Sequence, residues 1–202
     1  MTTDLSTKER LMRELIEEIR NCKRCALHKT RRNPVPGEGS LSARLMLVGE
    51  APGYWEDVRG RPFVGAAGKL LNELLSAIGL SRGEVYIANV LKCRPPGNRD
   101  PLPEEVDACT PFLDRQVELI SPRVVVTLGR HSTSYFFSKA GLKFRRMGDV
   151  HGKVYKIEVL GVSFSLIPTF HPASALYNPK YRGMIEEDLH VVEDLLRREG
   201  IL

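Results

Sequence analysis

The stretch Leu45-Met-Leu-Val-Gly-Glu-Ala-Pro-Gly53 decides the fold, because a short apolar run passes directly into a loop with glycine at both ends. Four consecutive apolar residues read as a strand buried on both faces, and the glycines let the following backbone turn sharply and present N–H groups outward. The same pattern recurs downstream. Val85-Tyr-Ile-Ala-Asn-Val90 and Val124-Val-Val-Thr-Leu128 are further buried strands, the second ending at Gly129. Val154 to Val159 and Val162 to Leu166 flank Gly161 as a hairpin.

Helical periodicity fills the intervals between these strands. Ser6-Thr-Lys-Glu9 has the form of a capping box, and Leu11, Met12, Leu15, Ile16 and Ile19 predict a helix to about Arg20. Leu70, Leu71, Leu74, Leu75 and Ile78 mark the next helix. Another begins near Pro103 and carries Cys109, with Pro111 expected to kink or interrupt it. A short helix runs from about His131 to Phe137, and a last one from about Met184 to Arg198. Strands alternating with helices predict an α/β fold: a single domain, residues 1–202, with a mainly parallel central sheet covered by helices on both faces. A site then belongs at the carboxyl ends of the strands. There the loop at Glu50, the strand end at Asn89 and His171 should converge.

The 202 residues suit one domain, and 42% hydrophobic with 27% charged residues excludes a disordered or fibrous chain. No apolar run reaches the roughly 18 residues that cross a bilayer. The charged, amphipathic first twenty residues lack a signal-peptide core, so a cytoplasmic location is expected, with no membrane partner. The net charge of +5 permits a polyanionic partner. Arg20, Lys23, Arg24, Lys29, Arg31 and Arg32 form an acid-free block that either grips phosphates or merely solubilises a loop. Lys139, Lys143, Arg145 and Arg146 form a second basic cluster.

Cys22 and Cys25 make a C-x-x-C pair, with Cys93 and Cys109 single and fifteen residues apart. In a cytoplasmic protein with a core of this size a metal is favoured over disulfides or idle buried thiols. Zinc commonly uses two tight knuckles, whereas one pair plus two dispersed cysteines suits an iron–sulfur cluster at least as well. Gly65 to Leu70, GAAGKL, lacks the spacing of a nucleotide-phosphate loop, and no strand is followed by GxGxxG.

GEAPGYWED, GRPFVG, IANVLKCRPPGNRDP and HPAS, in that order with C-x-x-C upstream, resemble the iron–sulfur uracil-DNA glycosylases, family four. The resemblance runs from about Cys22 to Arg182. It implies a [4Fe-4S] cluster on Cys22, Cys25, Cys93 and Cys109. It also implies excision of uracil flipped from single- or double-stranded DNA, leaving an abasic site. By the same resemblance His171 and the Ala51 N–H stabilise the departing base, and Phe63 stacks on it. Asn89 reads its pairing edge, and Glu56 crowds C5 against thymine. Leu176, with Tyr177 second, is the wedge that fills the vacated stack. Related glycosylases place an aspartate where this chain has Ala51, so positioning the attacking water falls to Glu50 or to a group not identified. The competing readings are a noncatalytic, metal-stabilised nucleic-acid-binding module and an iron–sulfur electron carrier. A monomer is expected, and no motif for a sliding clamp is visible.

Overall fold

The computed structural model describes residues 4–202, so the first three positions of the expected 1–202 domain lie outside the described residues. Helix α1 (Leu5–Asn21) is followed by a 3₁₀ turn (Ala26–Lys29), β1 (Glu38–Gly39), β2 (Leu45–Gly49), α2 (Tyr54–Arg59), α3 (Ala66–Ala77) and β3 (Tyr86–Asn89). Then come α4 (Pro103–Ile120), β4 (Val124–Leu128), α5 (Arg130–Lys139), β5 (Tyr155–Val159), β6 (Val162–Thr169), α6 (Pro172–Tyr177) and α7 (Lys180–Arg198).

The strands form one six-stranded sheet in the order β1-β3-β2-β4-β6-β5. Its four central strands are parallel, while β1 runs antiparallel to β3 and β5 antiparallel to β6, so the sheet is mixed. The connections explain the antiparallel edges. Between β5 and β6 only Leu160 and Gly161 intervene, with φ of 58° and 71°, a two-residue turn that can only reverse the chain. Strand β1 approaches so closely that a Cβ on Gly39 would lie 1.9 Å from the Val85 carbonyl.

Alternation along the strands divides the core between two faces. Met46 and Val48 of β2 join Met12, Leu15, Ile19, Phe112 and Phe136, from α1, α4 and α5. Leu45 and Leu47 point the other way, into Leu71, Leu75, Leu189, Val192 and Leu196 of α3 and α7. Both faces of β2 are thereby dry, which is why it reads as an unbroken apolar run.

Two local expectations are corrected. Helix α1 is capped by Asp4, whose carboxylate accepts from the Ser6 and Thr7 N–H groups at 2.8 and 3.3 Å, not by a box at Ser6. Helix α4 passes through Pro111 without interruption. Pro111 and the residue four before it, Asp107, are both solvent-exposed, so water can take the carbonyl that proline leaves unbonded.

Candidate active site

Because β2, β3, β4 and β6 are parallel, their carboxyl ends share one sheet edge, and there a cavity of about 300 Å³ opens between the following loops. Glu50, Ala51, Glu56, Phe63, Asn89 and His171 all line it. Beyond the strands the pairing continues, with Val90 N–H donating to the Gly49 carbonyl at 3.0 Å and Leu91 N–H to that of Glu50 at 2.9 Å. These bonds fix the first loop against Asn89. The Ala51 N–H has no acceptor among the described residues.

Asn89 is 2% exposed, and its Oδ1 has no hydrogen-bond partner among the described residues. A buried acceptor left unmatched costs about 1–3 kcal/mol, and this one belongs to a residue of the cavity wall. Gly49 makes room for it. A Cβ at Gly49 would lie 2.4 Å from Asn89 Oδ1 and 2.7 Å from the Phe63 ring.

Phe63 is held in the left-handed region, φ 51°, by two contacts. A Cβ on Gly68 would fall 1.8 Å from the Phe63 carbonyl, so α3 can press close only with glycine there. Glu56 Oε1 accepts from the N–H groups of Val64 and Gly65 at 2.8 and 2.9 Å, so this residue braces the loop as well as walling the cavity. The Phe63 and His171 rings stack at 5.5 Å between centroids.

His171 caps α6, its Nδ1 accepting from the Ala173 N–H at 3.1 Å. Burial pushes its pKa down to about 4, with Glu56 opposing. A neutral ring that accepts at Nδ1 carries its proton on Nε2, so His171 offers a hydrogen-bond donor without a charge. Behind it Thr169 Oγ1 donates to Asp188 at 2.6 Å, and His151 Nδ1 lies 2.9 Å from the same carboxylate, anchoring the end of β6.

Glu50 has company that the sequence did not announce. His131 Nε2 lies 3.7 Å from Glu50 Oε2 and 3.5 Å from Asp100 Oδ1, and Arg130 pairs with Asp100. Burial raises the Glu50 pKa, opposed by His131, while Asp100 raises it further. Both neighbours follow the topological rule, since His131 lies in the first turn of the helix after β4 and Asp100 lies in the loop after β3. That rule was the signal available to find them. Leu176 and Tyr177, 49% and 89% exposed, lie on α6 just beyond His171.

The Cys22–Cys25 pair, Cys93 and Cys109 come from three places in the chain to line one small cavity beside Ile19 and Phe112. Backbone and guanidinium donors point at the sulfurs: Lys92 N–H to Cys109 at 3.1 Å and Arg31 to Cys93 at 3.0 Å. Burial raises the Cys25 and Cys93 thiols and pushes Cys109 up to about 12, so thiolates here need a cation. The donor set fits a soft metal centre.

A family model described as the uracil DNA glycosylase superfamily matches residues 36–195, which contain the whole cavity. The chain belongs to the uracil DNA glycosylase superfamily. Within it, the chain is 50% identical over 188 residues to a type-4 uracil-DNA glycosylase of Saccharolobus solfataricus, covering 93% of this chain and 87% of that one. It is 44% identical over 196 residues to the type-4 uracil-DNA glycosylase of Thermotoga maritima, covering 96% and 99%. A DNA polymerase of Bacillus phage SP01 matches at 32% identity over 164 residues, 81% of this chain but 17% of the polymerase. Against the superfamily assignment, the cavity at the sheet edge and the cysteine cavity are the two features requiring a chemical account. No helix among the described residues is long and apolar enough to cross a membrane.

Proposed function

We propose that this protein excises uracil from DNA in base repair, hydrolysing the bond between uracil N1 and sugar C1′ and leaving an abasic site. The observation that carries this reading is the orphaned, buried Asn89 Oδ1, in one base-sized cavity with the neutral Nε2–H of His171. The N3–H of uracil supplies the donor that Asn89 lacks, and its O4 accepts from the same carboxamide. As the N1–C1′ bond breaks, its electron pair moves onto the base. His171 Nε2–H and Ala51 N–H donate to O2, where that charge collects. Glu50 orients a water toward C1′ and accepts its proton, and the water oxygen forms the new bond. Phe63 holds the base by its face, Glu56 closes the side that a thymine methyl would occupy, and Leu176 fills the vacated stack. The protein acts as a cytoplasmic monomer on single- or double-stranded DNA. Incubation with a uracil-containing oligonucleotide followed by alkali should cut the strand at uracil; an intact strand would overturn the reading.

Glu50→Gln is expected to slow single-turnover excision. Its raised pKa places the loss of the ionised form at a higher pH than for an exposed glutamate. The wild-type rate should therefore fall on acidification before an ordinary carboxylate would titrate, and the variant should lack that acid limb. A wild-type rate and profile in Glu50→Gln would remove this carboxylate from the mechanism.

Cys22, Cys25, Cys93 and Cys109 are proposed to hold a [4Fe-4S] cluster, which when bound supplies a structural tie between α1, the loop after β3 and α4. Purified protein should be brown, with about four irons per chain. Stoichiometric zinc without iron in anaerobically prepared protein would contradict this. Cys93→Ala is expected to lower soluble yield more than it changes base choice.

A further inference from the structure

Helix α2 turns its two sides to different tasks. Gly53 and Glu56, three residues apart, line the cavity, while Tyr54 and Trp55, between them in sequence, are 42% and 52% exposed. Their rings meet edge to face at 5.1 Å. Trp55 crosses the Phe63 loop closely enough that a Cβ on Gly65 would lie 3.6 Å from its Cδ1.

Three guanidiniums gather on these two rings. Arg32 and Arg94 lie 5.5 and 5.2 Å from the Tyr54 centroid, and Arg59 lies 5.7 Å from that of Trp55. Arg94 Nε donates to Asn98 at 2.7 Å, which ties it to the cavity wall. None of the three forms an ion pair with a carboxylate among the described residues. Clustered like charges repel, and exposed aromatics gain nothing from water, so the patch lacks a partner that is both anionic and flat. A nucleic-acid strand is both.

We propose that Tyr54, Trp55, Arg32, Arg59 and Arg94 form a second nucleotide subsite, outside the uracil cavity. It takes the unpaired nucleotide next to the flipped uridine on the same strand, its base on Trp55 and its flanking phosphates on the arginines. The proposal rests on the uracil-excision reading and adds where the strand lies. Continuity with the cavity selects the neighbouring nucleotide, because Gly53 and Glu56 bracket the two aromatic residues in sequence. Stacking on an aromatic face is indifferent to base identity, as an enzyme that meets uracil in any context requires.

Trp55 is the chain's single tryptophan, so its emission reports on this subsite alone. The probe is a short single-stranded oligonucleotide with a tetrahydrofuran abasic analogue at the uridine position. In two further versions the base on the 5′ side or on the 3′ side is also removed. Binding of the parent should quench Trp55. Removing the neighbouring base on one side should relieve the quench and weaken affinity about tenfold. Trp55→Ala should lose a similar factor, and Trp55→Phe should recover most of it. The triple variant Arg32→Ala, Arg59→Ala, Arg94→Ala should reduce the slope of log affinity against log salt by about 2. Unchanged emission and affinity whichever base is removed, with an unchanged salt slope in the triple variant, would overturn the subsite. Uracil release by the same preparation would then leave the excision reading standing. Quenching that depends on one neighbour in a protein that releases no uracil would support the subsite and overturn the excision reading instead.

Discussion

Alanine at His171 should slow uracil release by about 10²–10³, the scale for removing one donor from a developing anion. The argument begins at Ala173, whose N–H occupies His171 Nδ1 and so confines the ring proton to Nε2. Burial brings the pKa down to about 4, so from neutral pH down to about 5 the ring stays uncharged. The deficit of the alanine variant should therefore be the same across that range. A protonated catalyst would instead give a deficit that shrinks as the wild-type ring loses its charge. Single-turnover excision at several pH values measures this, and affinity for an abasic oligonucleotide should change little. A variant with the wild-type rate would remove His171 from the chemistry.

Asn89→Asp should produce the other large effect, and it concerns which base is accepted. Uracil presents N3–H as donor and O4 as acceptor; cytosine presents the reverse pair. A carboxamide held in one orientation fits uracil and opposes cytosine, and paired contacts of this kind discriminate by about 1–3 kcal/mol. Turning the amide over would restore the fit to cytosine, so selectivity depends on what holds it. Aspartate removes the donor to O4 and sets a charge beside it, so uracil excision should fall sharply. The same carboxylate can accept from cytosine N4, so the ratio of cytosine to uracil cleavage should rise even at low rates. Matched oligonucleotides in single-turnover assays test this. A wild-type uracil rate with an unchanged ratio would show that Asn89 does not read the base edge.

Strands β2 and β4 were legible because both are dry on both faces, leaving an apolar run that is unbroken at β2 and interrupted at β4 only by the buried Thr127. The parallel arrangement of the central strands made the meeting of Glu50, Asn89 and His171 a consequence of topology, and the cavity contains all three. The edges were harder. Strand β1 has two residues, too few for any period, and its place depends on Gly39 rather than on hydrophobic pattern. Helices α2 and α6 have six residues each, less than two turns, and form because Gly53 and His171-Pro172 start them against a finished sheet. Pro111 misled because helix breaking depends on whether water reaches the orphaned carbonyl, which sequence does not record. His131 lay outside the quoted motifs and Asp100 lay inside one with no role assigned to it, and only the fold places them beside Glu50. Arg31 came from a block read as a phosphate grip or a solubilising loop. Its guanidinium instead binds Cys93 and the carbonyls of Arg20 and Cys22.

One oligonucleotide carrying uracil, thymine and cytosine at separate positions tests the central claim most directly, with chemical identification of every base the purified protein sets free. The account predicts that free uracil accumulates to one equivalent per strand while thymine and cytosine stay attached, leaving a single abasic site. Release of no base, or of thymine as fast as uracil, would contradict it.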